Sequence, residues 1–222
     1  MTYDWQKVKL IAMTKPEDGS TTEDLISYCA RVSNPKNQEN YTTSSKLLKY
    51  LMNNQHWSPF EMVSITMEIN TTRDIARQIL RHRSFSFQEF SQRYADPTKD
   101  LGFVGREARL QDLKNRQNSI EIDDIGVSKQ WLEVQDKLLI EAKRSYDWAI
   151  SNGIAKEQAR AVLPEGLMMS RIYMAGTLRS WIHYCELRCE NGTQKEHREV
   201  ANSAKQELME HFSFLKFIWS DE

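Results

Sequence analysis

Three absences narrow the reading of this 222-residue chain. Cysteine is scarce. The three residues, Cys29, Cys185 and Cys189, are an odd number without metal-type spacing, which excludes a disulfide-stapled scaffold and gives no thiolate metal centre. Cys185 and Cys189 are four apart, on one helical face, and read as buried thiols; no metal is expected. Long apolar runs are missing too, since none approaches the roughly 18 residues of a membrane span. The opening Met1-Thr2-Tyr3-Asp4-Trp5 lacks the basic-then-apolar pattern of a signal peptide. The chain therefore reads as cytoplasmic (host cytoplasm for a viral source), without a membrane partner. Finally, charge of one sign is not in excess. A net charge of −1 argues against a dedicated nucleic-acid binder, which carries a basic surplus. Positive potential must be local, as at a site for a small anion.

What is present suits one globular domain over residues 1–222. Hydrophobic residues make up 40% and charged residues 27%, enough for a core under a solvated surface. Residues 8–13 form a short apolar run that suits a strand. Ser20, Thr21 and Thr22 followed by Glu23 and Asp24 announce a helix, carried on by Leu25, Ile26, Cys29 and Ala30 and stopped at Asn34-Pro35. A second helix reads over 42–53, with Leu47, Leu48, Leu51 and Met52 inward. Val63, Ile65, Met67 and Ile69 alternate with polar residues, the period-two mark of a half-buried strand. Thr71 and Asp74 then read as a capping pair for a helix that packs through Ile75, Ile79 and Leu80. Residues 95–127 are polar and read as a long connection or lid, with a strand possible at 102–110. Trp131, Val134, Leu138, Ala142 and Tyr146 predict a helix over 128–151, stopped at Asn152-Gly153. A short helix at 155–162, a strand at 168–177, and a helix at 178–189 packing through Trp181, Ile182 and Cys185 follow. Val200, Ala204, Leu208 and Phe212 mark a last packing helix. Strands followed by helices indicate an α+β fold.

The chemistry concentrates between Arg81 and Tyr94. Three arginines, His82, Glu89 and three serines alternate there with Phe85, Phe87 and Phe90. Arginine forks suit phosphates and anionic rings; alternatively the stretch is a basic amphipathic segment with its arginines on the surface. Arg73, Arg77 and Arg81 fall at i, i+4 and i+8. Such a column of like charge disfavours an isolated helix, and calls for an acidic partner or a bound anion. In the loop 55–61, Pro59 holds Ser58 out of helical conformation, and His56 and Glu61 are either site residues or solvent residues. Arg179, His183 and Arg188 share one helix and point either to one pocket or to solvent.

The order of motifs resembles the flavin-dependent thymidylate synthases. Arg81-His82-Arg83, seven residues, then Ser91 and Gln92-Arg93-Tyr94 is similar to that family's Arg-His-Arg signature. His56-Trp57-Ser58-Pro59-Phe60-Glu61 is similar to its His-x-Thr/Ser-Pro-Phe-Glu element, and Ala76-Arg77-Gln78 and Ala159-Arg160-Ala161-Val162-Leu163-Pro164 also match. Thr177-Leu178-Arg179 with His183 resembles the flavin-contacting segment, and Leu187-Arg188 the Leu-Arg whose arginine meets the uracil. The resemblance implies a central antiparallel sheet flanked by helices, and a homotetramer with sites shared between subunits. It further implies reductive methylation of dUMP to dTMP, with FAD as cofactor and NADPH and methylenetetrahydrofolate as co-substrates.

Residue by residue, the resemblance assigns Gln78, Ile79, Leu80, Arg81, Glu89, Phe90, Ser91, Gln92, Arg93, Arg160 and Arg188 to dUMP, with Arg188 catalytic. It assigns His56, Ser58, Arg81, His82, Arg83, Glu89, Thr177, Leu178, Arg179 and His183 to FAD. Ser91 reads as a binding residue, because a serine nucleophile needs an adjacent base and only His82 or Glu89 is in prospect, both assigned to ligands. The chain departs from the family at Gly192, where a histidine is usual, while Gln194 and Glu196 keep the pattern. Two rivals stand beside this reading: a related flavin- and folate-dependent enzyme such as a dUMP hydroxymethylase, and a non-catalytic nucleic-acid module using the Arg/Phe stretch.

Overall fold

The computed structural model describes residues 7–219. Strand β1 (Lys7–Met13) leads through α1 (Thr22–Ala30) and α2 (Ser44–Asn53) to β2 (Ser64–Thr72), which runs without a break into α3 (Arg73–Ile79). A short β3 (Ser86–Glu89) and the single turn α4 (Pro97–Asp100) precede a two-stranded ribbon, β4 (Arg109–Gln111) and β5 (Ser119–Glu121). Helix α5 (Ile125–Ser151) and the short α6 (Lys156–Ala159) lead to β6 (Met169–Thr177), which passes directly into α7 (Leu178–Arg188). Helices α8 (Lys195–His211) and α9 (Ser213–Trp219) close the described chain. The main sheet has the order β1-β2-β6-β3, with every neighbouring pair antiparallel. This is the expected α+β arrangement.

The period-two pattern decides which face is covered. Ile65, Met67 and Ile69 of β2 are buried with Ile172 and Met174 of β6, and against them pack Ile75 and Ile79, Trp181 and Ile182, and Val200, Ala204 and Leu208. The buried Trp181 indole donates to the Ile65 carbonyl at 3.2 Å, so its polar atom is satisfied. The opposite face is polar: Tyr173 donates to Glu68 at 2.9 Å, and Arg171 to Asn70 at 2.8 Å. Gly176 is required by its neighbour. A Cβ there would lie 2.4 Å from the Phe85 ring, so only glycine lets β6 pass beneath that ring.

Several expectations shift. Thr72, not Thr71, precedes α3, and its hydroxyl bonds the Asp74 carboxylate (2.6 Å) with no side-chain bond to the helix backbone. Helix α3 ends at Ile79, so Arg81 lies in the following turn and the arginine column holds only Arg73 and Arg77. Their acidic partners are Glu89 and Glu165. The 95–127 connection is not unstructured; the strand expected at 102–110 shrinks to Arg109–Gln111 in the ribbon, with one bridge from Phe103 to Met168. On α5, Ala142 and Tyr146 are buried, but Trp131, Val134 and Leu138 are 43%, 56% and 51% exposed. The helical period holds there, but this chain does not cover that part of the face.

Candidate active site

Because β2 and β6 are antiparallel and each feeds a helix, α3 and α7 start at opposite ends of the sheet. The C-terminus of α7 thereby meets the turn after α3. Arg188 donates from Nε to Nε2 of His82 at 3.0 Å, so His82 is neutral with its proton on Nδ1. Burial, with the Arg188 charge beside it, pushes the His82 imidazole down to about 4. Its ring stands edge-on to Tyr184, with centroids 5.0 Å apart.

Behind this pair lies a polar chain that the sequence did not announce. His197, buried in α8, meets the Tyr184 hydroxyl through Nε2 (3.2 Å) and the Gln78 carbonyl oxygen through Nδ1 (3.3 Å). Gln78 donates to Gln194 at 2.7 Å, and Gln194 donates to Glu196 at 2.9 Å. Glu196 is fully buried and receives Arg109 and Arg106, the latter at 3.2 Å. Burial works against its charge, but the hydrogen bond from Arg109 and the Arg106 charge outweigh it and hold the carboxyl below its usual value. Arg106 also pairs with Asp74 at 2.7 Å, and its backbone exchanges two hydrogen bonds with the buried Gln135 of α5.

A second cluster sits at the N-terminus of α3. Arg73 lies 3.3 Å from both Glu89 and Glu165, Arg77 lies at 3.9 and 3.8 Å from the same carboxylates, and Ser170 donates to Glu89 at 3.0 Å. Arg73, Arg77, Gln92, Arg160 and Glu165 line a cavity of about 290 Å³. Ser91 Oγ accepts from the Arg93 backbone N–H at 3.4 Å, a turn contact rather than one with a base. Arg93 pairs with Glu157 at 3.2 Å, and the Phe90 N–H donates to the Arg171 carbonyl at 2.8 Å.

A third cluster gathers where β6 enters α7. Thr177 caps the helix by accepting from the Ser180 N–H. Arg179 pairs with Glu61, His183 packs edge-on to Trp57 (4.4 Å) and faces Glu186 at 3.2 Å, and His56 lies beside Tyr50 (6.1 Å). Ser58 is exposed. Arg179 and Arg188 are nine residues apart on one helix, hence about 14 Å along its axis. Within one chain, the residues matched to FAD thus lie apart: Arg81, His82 and Arg83 by the C-terminus of α7, His56, Ser58, Thr177, Leu178, Arg179 and His183 around its start, and Glu89 in the cluster at the N-terminus of α3. Ile79 and Leu178 have core side chains with no exposure; only their backbones are available to a ligand. Leu80 is half-buried at the end of α3.

Charge pairing separates structural from available arginines. Arg73, Arg93, Arg106 and Arg179 have carboxylate partners. Arg81 and Arg83 are exposed and Arg188 hydrogen-bonds the neutral His82; among the described residues none of the three has an ion-pair partner. Unneutralised guanidinium groups around a neutral imidazole are a donor set for phosphate oxygens and for an electron-rich ring. The residues present therefore fit a phosphate-bearing flavin. Among the described residues no cluster could hold a metal ion, and no helix is long and apolar enough to cross a membrane.

His197 and Tyr184 had a readable signal. His197, Val200, Ala204 and Leu208 share helical spacing, as do Trp181, Tyr184 and Cys185, so both polar side chains sit on buried faces. Arg106 and Arg109 carried no such signal.

A family profile described as "Thymidylate synthase complementing protein" matches residues 9–212. A probable flavin-dependent thymidylate synthase of Paramecium bursaria Chlorella virus 1 is 50% identical over 206 residues, covering 92% of this chain and 94% of the relative. The chain belongs to the flavin-dependent thymidylate synthase family. The enzyme of that name from Synechocystis sp. is also 50% identical, over 210 residues, covering 92% and 95% of the two chains. The fold is shared with the UMP/dUMP methylase PolB of Streptomyces cacaoi, solved with 5-Br dUMP, at a TM-score of 0.79 and 23% identity over 97% and 95% of the two chains.

Proposed function

We propose that this protein, as a flavin-dependent thymidylate synthase, methylates dUMP to dTMP, taking the one-carbon unit from methylenetetrahydrofolate and reducing equivalents from NADPH. The observation that carries the reading is the unpaired Arg188 guanidinium held against neutral His82, next to the unpaired Arg81 and Arg83. Uracil becomes reactive at C5 when negative charge on its N3 and carbonyl edge is stabilised. A guanidinium aimed by a neutral histidine supplies that stabilisation without a competing carboxylate. Gln78, Arg81, Glu89, Ser91, Gln92, Arg93 and Arg160 are the side chains for phosphate, sugar and base, with Ile79, Leu80 and Phe90 contributing backbone groups. Ser91 orients the nucleotide; its oxygen accepts from the Arg93 N–H in a turn, and among the described residues no base hydrogen-bonds its hydroxyl.

His56, Ser58, Arg81, His82, Arg83, Glu89, Thr177, Leu178, Arg179 and His183 would hold FAD, which supplies the hydride when bound. These groups lie apart within one chain, and the proposed site takes them from neighbouring subunits, as the family resemblance implies. The exposed apolar residues of α5, with Trp148 61% and Ile140 70% exposed, favour an assembly of several copies; a homotetramer is proposed. A cytoplasmic setting belongs to the same proposal.

The test is to incubate the FAD-loaded protein with dUMP, methylenetetrahydrofolate and NADPH and to weigh the nucleotide product. A methylated nucleotide is expected. A hydroxymethylated one would transfer the protein to the rival enzyme class, and unchanged dUMP would refute the reading. The nucleic-acid module is set aside by the family membership.

A further inference from the structure

We propose that His197 is a positioning residue for the nucleotide site, fixing the Gln78 carboxamide so that it presents one N–H to the bound nucleotide. The inference rests on Gln78 touching dUMP, as proposed above, and deepens that reading by naming what aims Gln78. The hydrogen bonds have one self-consistent direction. Glu196 is an ionised acceptor held by Arg106 and Arg109, so Gln194 must turn its NH₂ toward it and its oxygen toward Gln78. Gln78 then gives one N–H to Gln194 at 2.7 Å and turns its oxygen toward His197. His197 must therefore carry its proton on Nδ1 and accept from the Tyr184 hydroxyl through Nε2. Tyr184, 1% exposed, supplies the hydroxyl that fixes this tautomer.

Glutamine's two ends are nearly the same shape, and an unanchored amide samples both orientations. Here both ends are tied, which leaves one N–H of Gln78 for an outside acceptor such as a carbonyl or phosphate oxygen. Burial, then the Arg188 and His82 charges, push His197 down to about 3, so the ring remains in its neutral form at working pH.

Without His197 the Gln78 amide keeps its bond to Gln194 but loses the anchor on its oxygen, so its remaining N–H is no longer held toward the nucleotide. The loss is that of one aligned hydrogen bond, about tenfold in dUMP affinity, equivalent to about 1.4 kcal/mol. The experiment measures dUMP binding by calorimetry, alongside KM and kcat, on the full chain loaded with FAD. His197→Phe keeps the ring and removes both nitrogens, and is expected to weaken dUMP binding about tenfold with KM rising more than kcat falls. His197→Asn, which restores an N–H at the Nδ1 position, is expected to recover most of that loss. Should the phenylalanine variant not fold, His197→Gln, with an amide at the Nε2 position and none at Nδ1, is expected to give the same loss.

The discriminating arm is the cycle with Gln78→Ala. If His197 acts through Gln78, removing it in that background changes affinity less than about twofold. A merely structural His197 would produce the same tenfold loss in both backgrounds, and that outcome overturns the proposal. So does a folded His197→Phe protein with wild-type affinity, which would leave the dUMP reading standing. Wild-type protein that bound no dUMP would remove both.

Discussion

Replacing His197 by phenylalanine, and comparing unfolding near pH 8 with unfolding near pH 5, tests the buried chain at its most sensitive point. In the folded protein the ring is 1% exposed, and burial, Arg188 and His82 depress it to about 3. In the unfolded chain it returns to about 6.5. The folded value is the lower one, so the neutral ring contributes stability above about pH 6.5 that is lost as pH falls toward 3. At pH 5 only the unfolded chain has taken up the proton. With about 1.36 kcal/mol per pH unit over about 1.5 units, the wild type loses about 2 kcal/mol from this residue between pH 8 and pH 5. His197→Phe has no such loss, although near pH 8 it is weaker by roughly 1–3 kcal/mol for each partner left unsatisfied, the Gln78 oxygen and the Tyr184 hydroxyl. The two proteins therefore converge in stability as the solution is acidified. The assay is urea unfolding at one protein concentration, since subunit assembly would shift the midpoint. Equal pH dependence in the two proteins would refute the buried neutral ring, and a steeper dependence in the variant would reverse its sign.

Glu196→Gln keeps the shape but leaves Arg106 and Arg109 without their shared buried carboxylate. It is expected to cost about 3–5 kcal/mol in urea unfolding, and a change under about 1 kcal/mol would show that the pairing is idle. Gly176→Ala drives a Cβ into Phe85, whose ring lies 5.0 Å from Trp181, and should lower stability by about 1–3 kcal/mol; an unchanged melting temperature would contradict the close approach. Ser91→Ala is expected to weaken dUMP binding while leaving a measurable rate at saturating dUMP. Abolished turnover with intact dUMP affinity and flavin reduction would restore the serine as nucleophile.

The sheet and its helices were legible because their signals are local. Val63 to Ile69 alternate, α7 and α8 repeat at helical spacing, and the residues so marked are the ones that became buried. The motif residues were legible as a set, but their grouping was not. The nine-residue spacing of Arg179 and Arg188 on one helix implies about 14 Å between them, but not that the Arg188 end meets His82 in the turn after α3 while Arg179 pairs with Glu61. Arg81 was misplaced by extending a helix two residues past its end, where a periodic pattern says nothing about the stop. The exposed Trp131, Val134 and Leu138 show another limit: periodicity identifies an apolar face but not the surface that covers it. The buried chain from Tyr184 to Arg109 escaped notice because it joins residues as far as 119 positions apart, and polar residues on a packing face look like interruptions until their partners are known.

On the proposed function, Arg188, His82 and the arginines around them serve a flavin that reacts with dUMP. The most direct measurement is the flavin absorption of the protein reconstituted with FAD, reduced by NADPH without oxygen, and then mixed with dUMP and methylenetetrahydrofolate. The predicted result is bleaching on reduction and return of the yellow band only when both substrates are present, with dTMP formed in step and with the return strongly slowed in Arg188→Ala. Protein that takes up no FAD, or whose reduced flavin is indifferent to dUMP, would contradict it.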